Sequence, residues 1–148
     1  MMIHEMTQQE IKELLSRTRI GRLACSYEGQ PYIVPLSFAY SSVYLYSLTT
    51  AGQKVDWMRK NPKVCVQFDE IQTTNVWQSV LVVGRFEELT SQHIDARNTA
   101  HQLLSTSAEW WEPAFVKTVI HGQERALEPV YFRIAISETT GHRAAKSD

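Results

Sequence analysis

The chain opens with a helical period and then settles into alternation. Thr7 and Glu10 form a capping-box pattern, with Met6 and Ile11 placed as a hydrophobic staple. Ile11, Leu14 and Leu15 make one apolar stripe, which predicts a first helix over residues 8–17. Strand patterns start at Ile20. Leu23, Cys25 and Tyr27 alternate with Arg22, Ala24 and Ser26, and Glu28-Gly29 supplies a turn signal. Tyr32, Val34, Leu36 and Phe38 share one face of a second strand, where Pro35 lacks an N–H and favours an edge or an irregular ladder. Ser41-Ser42 leads into a third strand over residues 43–48, so a hairpin is expected there.

Residues 51–60 read as a short helix that stops before Asn61-Pro62, because a residue preceding proline disfavours the helical region. Val64, Val66 and Phe68 mark a fourth strand. Val80, Val82 and Phe86 mark a longer fifth over residues 76–89, with Gly84 as the place for a bend or bulge. Thr90 or Ser91 is placed to cap another helix, whose face is Ala96, Ala100, Leu103 and Leu104. Residues 105–123 carry no readable period. Val130, Phe132, Ile134 and Ile136 then alternate in a last strand. Six strands in mostly hairpin order exclude a doubly wound parallel sheet. A small antiparallel barrel or a sandwich remains, and a barrel has the merit of removing exposed edges.

Composition narrows the class without choosing a function. The 148 residues suit a single domain spanning 1–148, with no repeat, low-complexity tract or linker. A formal net charge of -1 offers no broad attraction to nucleic acid or to an anionic membrane. The longest aliphatic run near the chain centre, residues 80–83, is far too short to cross a bilayer. The opening MMIHEMTQQE lacks the basic and apolar regions of a signal peptide, so a cytoplasmic location is expected. Cys25 and Cys65 match no metal-ligand spacing and read as free thiols in a reducing compartment.

Candidate chemistry concentrates in the turn Thr49-Thr50-Ala51-Gly52-Gln53-Lys54. Backbone N–H groups at a helix start favour an anion. Two threonine hydroxyls add donors, Gly52 permits close approach and Lys54 brings a full charge. That equipment suits a terminal phosphate. A capped helix with a solvated lysine is the other reading of the turn, and the turn alone does not separate them.

Its setting does more. Residues 31–38 follow a P-x-x-x-P-x-x-F pattern, Leu45-Tyr46-Ser47-Leu48 ends a strand, and the Gly52-Gln53-Lys54 turn precedes a helix ending Asn61-Pro62. Trp77-Gln78-Ser79-Val80-Leu81-Val82-Val83-Gly84 follows later. In this order the motifs resemble the flavin-binding split barrels related to pyridoxamine 5'-phosphate oxidase, in the branch similar to nitroimidazole-resistance proteins. The resemblance covers residues 20–88, the final strand and Thr140-Gly141; His142-Arg143 stands where lysine is common in that family. It implies a mainly β fold with flanking α, a six-stranded antiparallel Greek-key split β-barrel of the FMN-binding type. It also implies FMN as cofactor, held at the interface of a homodimer.

Carried over position by position, Val34, Pro35, Leu36 and Ser37 would line the isoalloxazine ring. Ser47, Leu48 and Thr49 would follow the ring edge and ribityl chain; Lys54 would hold the phosphate beside Gly52 and Gln53. Gln78 and Ser79 would approach from a neighbouring strand, although the Ser79 hydroxyl could equally be satisfied within the barrel wall. Trp110 and Trp111 are candidates to cover the ring, since aromatic faces stack on planar groups; ordinary core or dimer contacts are their other reading.

Other constellations fail. His4, His93, His101, His121 and His142 are scattered, no nucleophile elbow occurs, and Glu87-Glu88 and Asp69-Glu70 read as solvated ends and loops. Redox chemistry would therefore fall to the cofactor, with the protein orienting it. The expected activity is an FMN-dependent oxidoreductase acting on a small aromatic or heteroaromatic molecule, with NADH or NADPH as donor. A flavin carrier or sensor without turnover is the alternative. A third reading exchanges FMN for a deazaflavin or haem; the lack of a placed axial histidine speaks against haem.

Overall fold

The computed structural model describes residues 1–106, 117–126 and 128–146. Strand β1 (Met2–Glu5) precedes helix α1 (Gln8–Arg17), whose bounds match the sequence expectation. Its capping box is complete. Glu10 N donates to Thr7 Oγ1 at 3.2 Å and Thr7 N donates to Glu10 Oε1 at 2.9 Å, satisfying two otherwise orphaned amides. The apolar stripe of Ile11, Leu14 and Leu15 is buried against the sheet.

Next come β2 (Ile20–Tyr27), β3 (Gln30–Ser37), β4 (Ala39–Ser41) and β5 (Tyr44–Thr50). Glu28 and Gly29 both take positive φ, 50° and 78°, as a two-residue hairpin turn demands. Helix α2 (Gln53–Lys60) leads to the long strands β6 (Lys63–Thr73) and β7 (Val76–Glu88). Helix α3 (Ile94–Leu104), the hairpin β8 (Lys117–Ile120) and β9 (Gln123–Ala126), and β10 (Pro129–Ala145) complete the order.

All ladders are antiparallel, and the main sheet runs β3-β2-β6-β7-β10-β5-β4 with β1 added on β10. Its two ends, β3 and β4, are joined in the chain by Phe38 alone, so the sheet has to curl back on itself. Phe38 fills the space inside, edge-on to Phe68 and Phe132 at centroid distances of 5.9 and 6.2 Å. Pro35 sits on the edge strand, where a missing N–H costs no ladder bond. The fold is a mainly β split barrel with flanking helices.

Several boundaries differ from expectation. The main sheet has eight strands rather than six, because β1 and β4 are too short to show alternation. The bulge falls opposite Gly84, with its extra residue in β10: the register slips between Ile136 and Glu138, and Ser137 Oγ donates to Val83 O at 2.9 Å. Gly84 is what lets that bend pack. A Cβ built on it would stand 2.3 Å from the Ala135 carbonyl oxygen. Helix α2 starts at Gln53 rather than residue 51, since Thr49 and Thr50 are held in β5 opposite Val130 and Pro129. Helix α3 starts late as well, because Thr90 is used in a turn with His93 instead of as the cap.

Candidate functional site

Lys54 is half-buried in the first turn of α2, and α2 lies against β2 through Trp57, whose ring meets Tyr27 and Tyr32. Burial pushes the Lys54 ammonium down from its ordinary value, while the neighbouring Cys25 thiol pulls it partly back. Among the described residues no carboxylate reaches Lys54 within ion-pair distance. The helix start beside it is bare. Gly52 is the N-cap, no side chain caps the turn, and a Cβ built on Gly52 meets nothing within 4 Å. Among the described residues the start of α2 thus has no side-chain cap and sits beside a half-buried cation that makes no ion pair, which is the electrostatic setting for an anion. A side-chain-capped helix, the bland reading of this turn, is absent.

From Cys25 the sheet leads toward the other residues expected at the site. Cys25 stands opposite Tyr32 in β3, and Ser37 lies five residues further along, about 17 Å at the rise of a strand. Val34 and Leu36 turn inward against the core, while Pro35 is exposed on the outer face. Ser47 is fully buried, and its Oγ donates to the Ser37 carbonyl at 2.8 Å. Thr49 is buried beside it on β5; Leu48 points the other way into the small core under α3. Thus Gly52, Gln53 and Lys54 mark one end, and Ser37 and Ser47 the other, of one side of the barrel.

Gln78 and Ser79 stand apart from Ser47 along the strands, and Ser79 connects across the sheet to Arg22, the ladder partner of Pro35. Ser79 pairs with His142 on β10, whereas Ser47 pairs with Phe132, ten residues or about 33 Å of strand away. Ser79 Oγ accepts a 3.0 Å bond from Gln67 Nε2, whose side chain also meets Asp69 and Arg22. Arg22 Nη1 in turn lies 2.6 Å from Asp69 Oδ2. That polar network spans the outer face of β2, β6 and β7, and sequence reading missed it because its members are far apart in the chain. Trp110 and Trp111 lie outside the described residues.

Two further groups went unnoticed in the sequence. Tyr131 OH lies 3.2 Å from His101 Nδ1, with the Arg97 guanidinium 5.2 Å over the same ring. The i, i+4 spacing of Arg97 and His101 on α3 was the only available signal. Arg143 Nε lies 3.3 Å from Glu10 Oε2 without hydrogen-bond alignment, which ties the tail of β10 to α1. Among the described residues no group of three His, Cys, Asp or Glu could hold a metal ion, and no helix is long and apolar enough to cross a membrane.

Comparison with known proteins agrees with this architecture. The model of the family described as pyridoxamine 5'-phosphate oxidase matches residues 7–143. An uncharacterised protein of Rhizobium meliloti (strain 1021) is 37% identical over 150 residues, covering 100% of this chain and 99% of its own length. The crystal structure of an FAD-binding protein from Mesorhizobium loti shares 38% identity, with a TM-score of 0.79 and 99% of each chain covered. A candidate 5-nitroimidazole antibiotic resistance protein from Bacteroides thetaiotaomicron shares the fold at 17% identity, with a TM-score of 0.70 and coverage of 98% and 92%.

Proposed function

The chain belongs to the pyridoxamine 5'-phosphate oxidase family, and from that premise we propose that it binds a flavin and acts as an oxidoreductase on a small aromatic or heteroaromatic molecule. The observation that carries the reading is Lys54, a half-buried cation at the uncapped start of α2 that has no ion-pair partner among the described residues. The similar protein from Mesorhizobium loti, which binds FAD, supports it.

In this reading Lys54 and the amides of Gln53 and Lys54 hold the flavin phosphate. The ring lies along β3 toward Ser37, a span of about 17 Å that suits an extended mononucleotide. Backbone groups of residues 34–37 orient the ring edge, and the Ser47–Ser37 bond keeps that edge rigid. The flavin supplies hydride transfer between a reduced nicotinamide and the substrate. The protein supplies position and a partly apolar wall that excludes water.

A second copy completes the site. In a homodimer Gln78 and Ser79 would help close the site, Ser79 from the outer face that it shares with Arg22 and Pro35. The outer face of β3 and β7 supports such a dimer: Ile33, Leu81 and Val83 are exposed there, with Pro35 beside them. Anaerobic mixing of the flavin-loaded protein with NADH or NADPH tests the enzymatic reading. Bleaching of the flavin band, followed by recovery on adding a nitroaromatic or quinone acceptor, is the expected result. A bound flavin that neither donor bleaches would make the protein a carrier instead.

A further inference from the structure

Three strands carry polar residues past the end of the barrel core in a single row. Phe68, Val80 and Gly141 are ladder neighbours on β6, β7 and β10, and the first two are buried core. Two residues further along each strand, on the same face, stand Glu70, Gln78 and Arg143. Helix α1 clamps the ends of this row: Arg17 pairs with Glu70, and Glu10 lies beside Arg143. The seven residues from Glu10 to Arg17 rise about 10.5 Å, and two strand spacings are about 9.6 Å. The helix therefore spans the row and leaves its middle member, Gln78, without a helix partner.

Among the described residues the Gln78 amide makes no hydrogen bond within the protein. Neither does the Arg143 guanidinium, whose Nε is buried. Both line a cavity of about 200 Å³ at the end of the β6–β7 hairpin, together with Glu70, Val76 and Ala145. That is smaller than a drug-sized site, which limits a ligand to about one ring. Each Glu70 oxygen accepts one bond from Arg17 and keeps a lone pair. Charge in the row is balanced, since Arg17 offsets Glu70 and Glu10 offsets Arg143. An anion here would meet two carboxylates. A neutral group that offers an acceptor beside a donor matches the row instead.

We propose that this cavity binds the primary carboxamide of a planar aromatic molecule. The Gln78 amide pairs with the carboxamide through two hydrogen bonds, one in each direction. The ligand carbonyl also accepts from the Arg143 guanidinium, and its second N–H donates to Glu70. The ring packs against Val76 and Ala145. Because Gln78 is expected beside the flavin of a homodimer, the aromatic amide is the substrate in the reading of the preceding subsection. That assignment rests on the flavin reading; the binding itself does not.

NMR titration of the flavin-free, full-length chain with benzamide, and in parallel with benzoate, tests this. The expected result is saturable benzamide binding with a Kd on the order of 1 mM, as for a one-ring ligand, and benzoate at least about fivefold weaker. Gln78→Leu and Arg143→Met should each weaken benzamide about tenfold, the worth of a buried hydrogen bond to the ligand. Arg143→Met also removes the contact with Glu10, so thermal melts accompany both variants, and Gln78→Leu breaks no bond within the protein. No saturable benzamide binding, benzoate binding as tightly as benzamide, or an affinity unchanged in Gln78→Leu overturns the proposal. Displacement of benzamide by FMN would give Gln78 to the cofactor and overturn it too. A chain that binds benzamide but no flavin upholds the cavity and retires the flavin reading, with the substrate assignment.

Discussion

Ser47 Oγ donates to the Ser37 carbonyl at 2.8 Å, bridging two strands that share no ladder. Among the described residues β3 pairs only with β2, so this side-chain bond helps close the seam of the barrel. Ser47→Ala leaves the Ser37 carbonyl without that donor in a buried setting. The expected loss is about 1–2 kcal/mol in urea unfolding, together with weaker flavin binding because the ring edge loosens. A variant as stable as the parent would show that the seam is held elsewhere.

Lys54 has the opposite sign in the protein without ligand. Its folded pKa is lowered by burial, so the unfolded chain holds the proton more tightly and stability rises as pH climbs through the folded value toward 10.5. Lys54→Met should therefore leave the ligand-free protein as stable as the parent at pH 7, or more so. It should also flatten the alkaline rise in melting temperature.

Glu70 behaves as a paired carboxylate. The Arg17 hydrogen bonds at 2.8 and 2.9 Å hold it below the usual range, outweighing the opposing effect of burial, and the Arg17 charge adds to them. Its contribution is present above pH 4.5 and is lost as pH falls through the lower folded value. Both partners are well exposed, so Glu70→Gln should cost no more than about 1 kcal/mol at pH 7 and nothing at pH 2. Paired urea titrations at the two pH values read this directly.

Gly84 and Gly52 should respond differently to alanine. At Gly84 the new methyl would press on the Ala135 carbonyl at 2.3 Å, and backbone cannot swing aside as a side chain can. A loss of about 2–3 kcal/mol is expected in thermal or urea unfolding. Gly52→Ala meets open space, so the fold should keep its stability within about 0.5 kcal/mol.

Much of this fold is legible in the residues. The Thr7–Glu10 capping box and the alternation in β2, β3, β6, β7 and β10 reappear where they were expected, whereas β5 is buried on both faces. Strand β4 escapes because three residues cannot display a period, and β1 because its neighbour in space, the end of β10, is remote in sequence. The bend expected at Gly84 is there, and only the strand that carries the extra residue, Ser137 on β10, was not legible. Site residues divide in the same way. Lys54 and Gly52 are local to one turn and could be read together. The separation of Ser79 from Ser47 depends on how far β10 runs before and after its bend, which no local spacing reveals.

The central claim is that Lys54 at the open start of α2 anchors a flavin phosphate. Titrating FAD or FMN with the protein and following flavin fluorescence tests it most directly, with Lys54→Ala in parallel. Saturable quenching by the parent is expected, with affinity weakened by about 1.5–3 kcal/mol in the variant, the worth of a charged hydrogen bond. Fluorescence unchanged by the parent, or equal affinity in parent and variant, would contradict it.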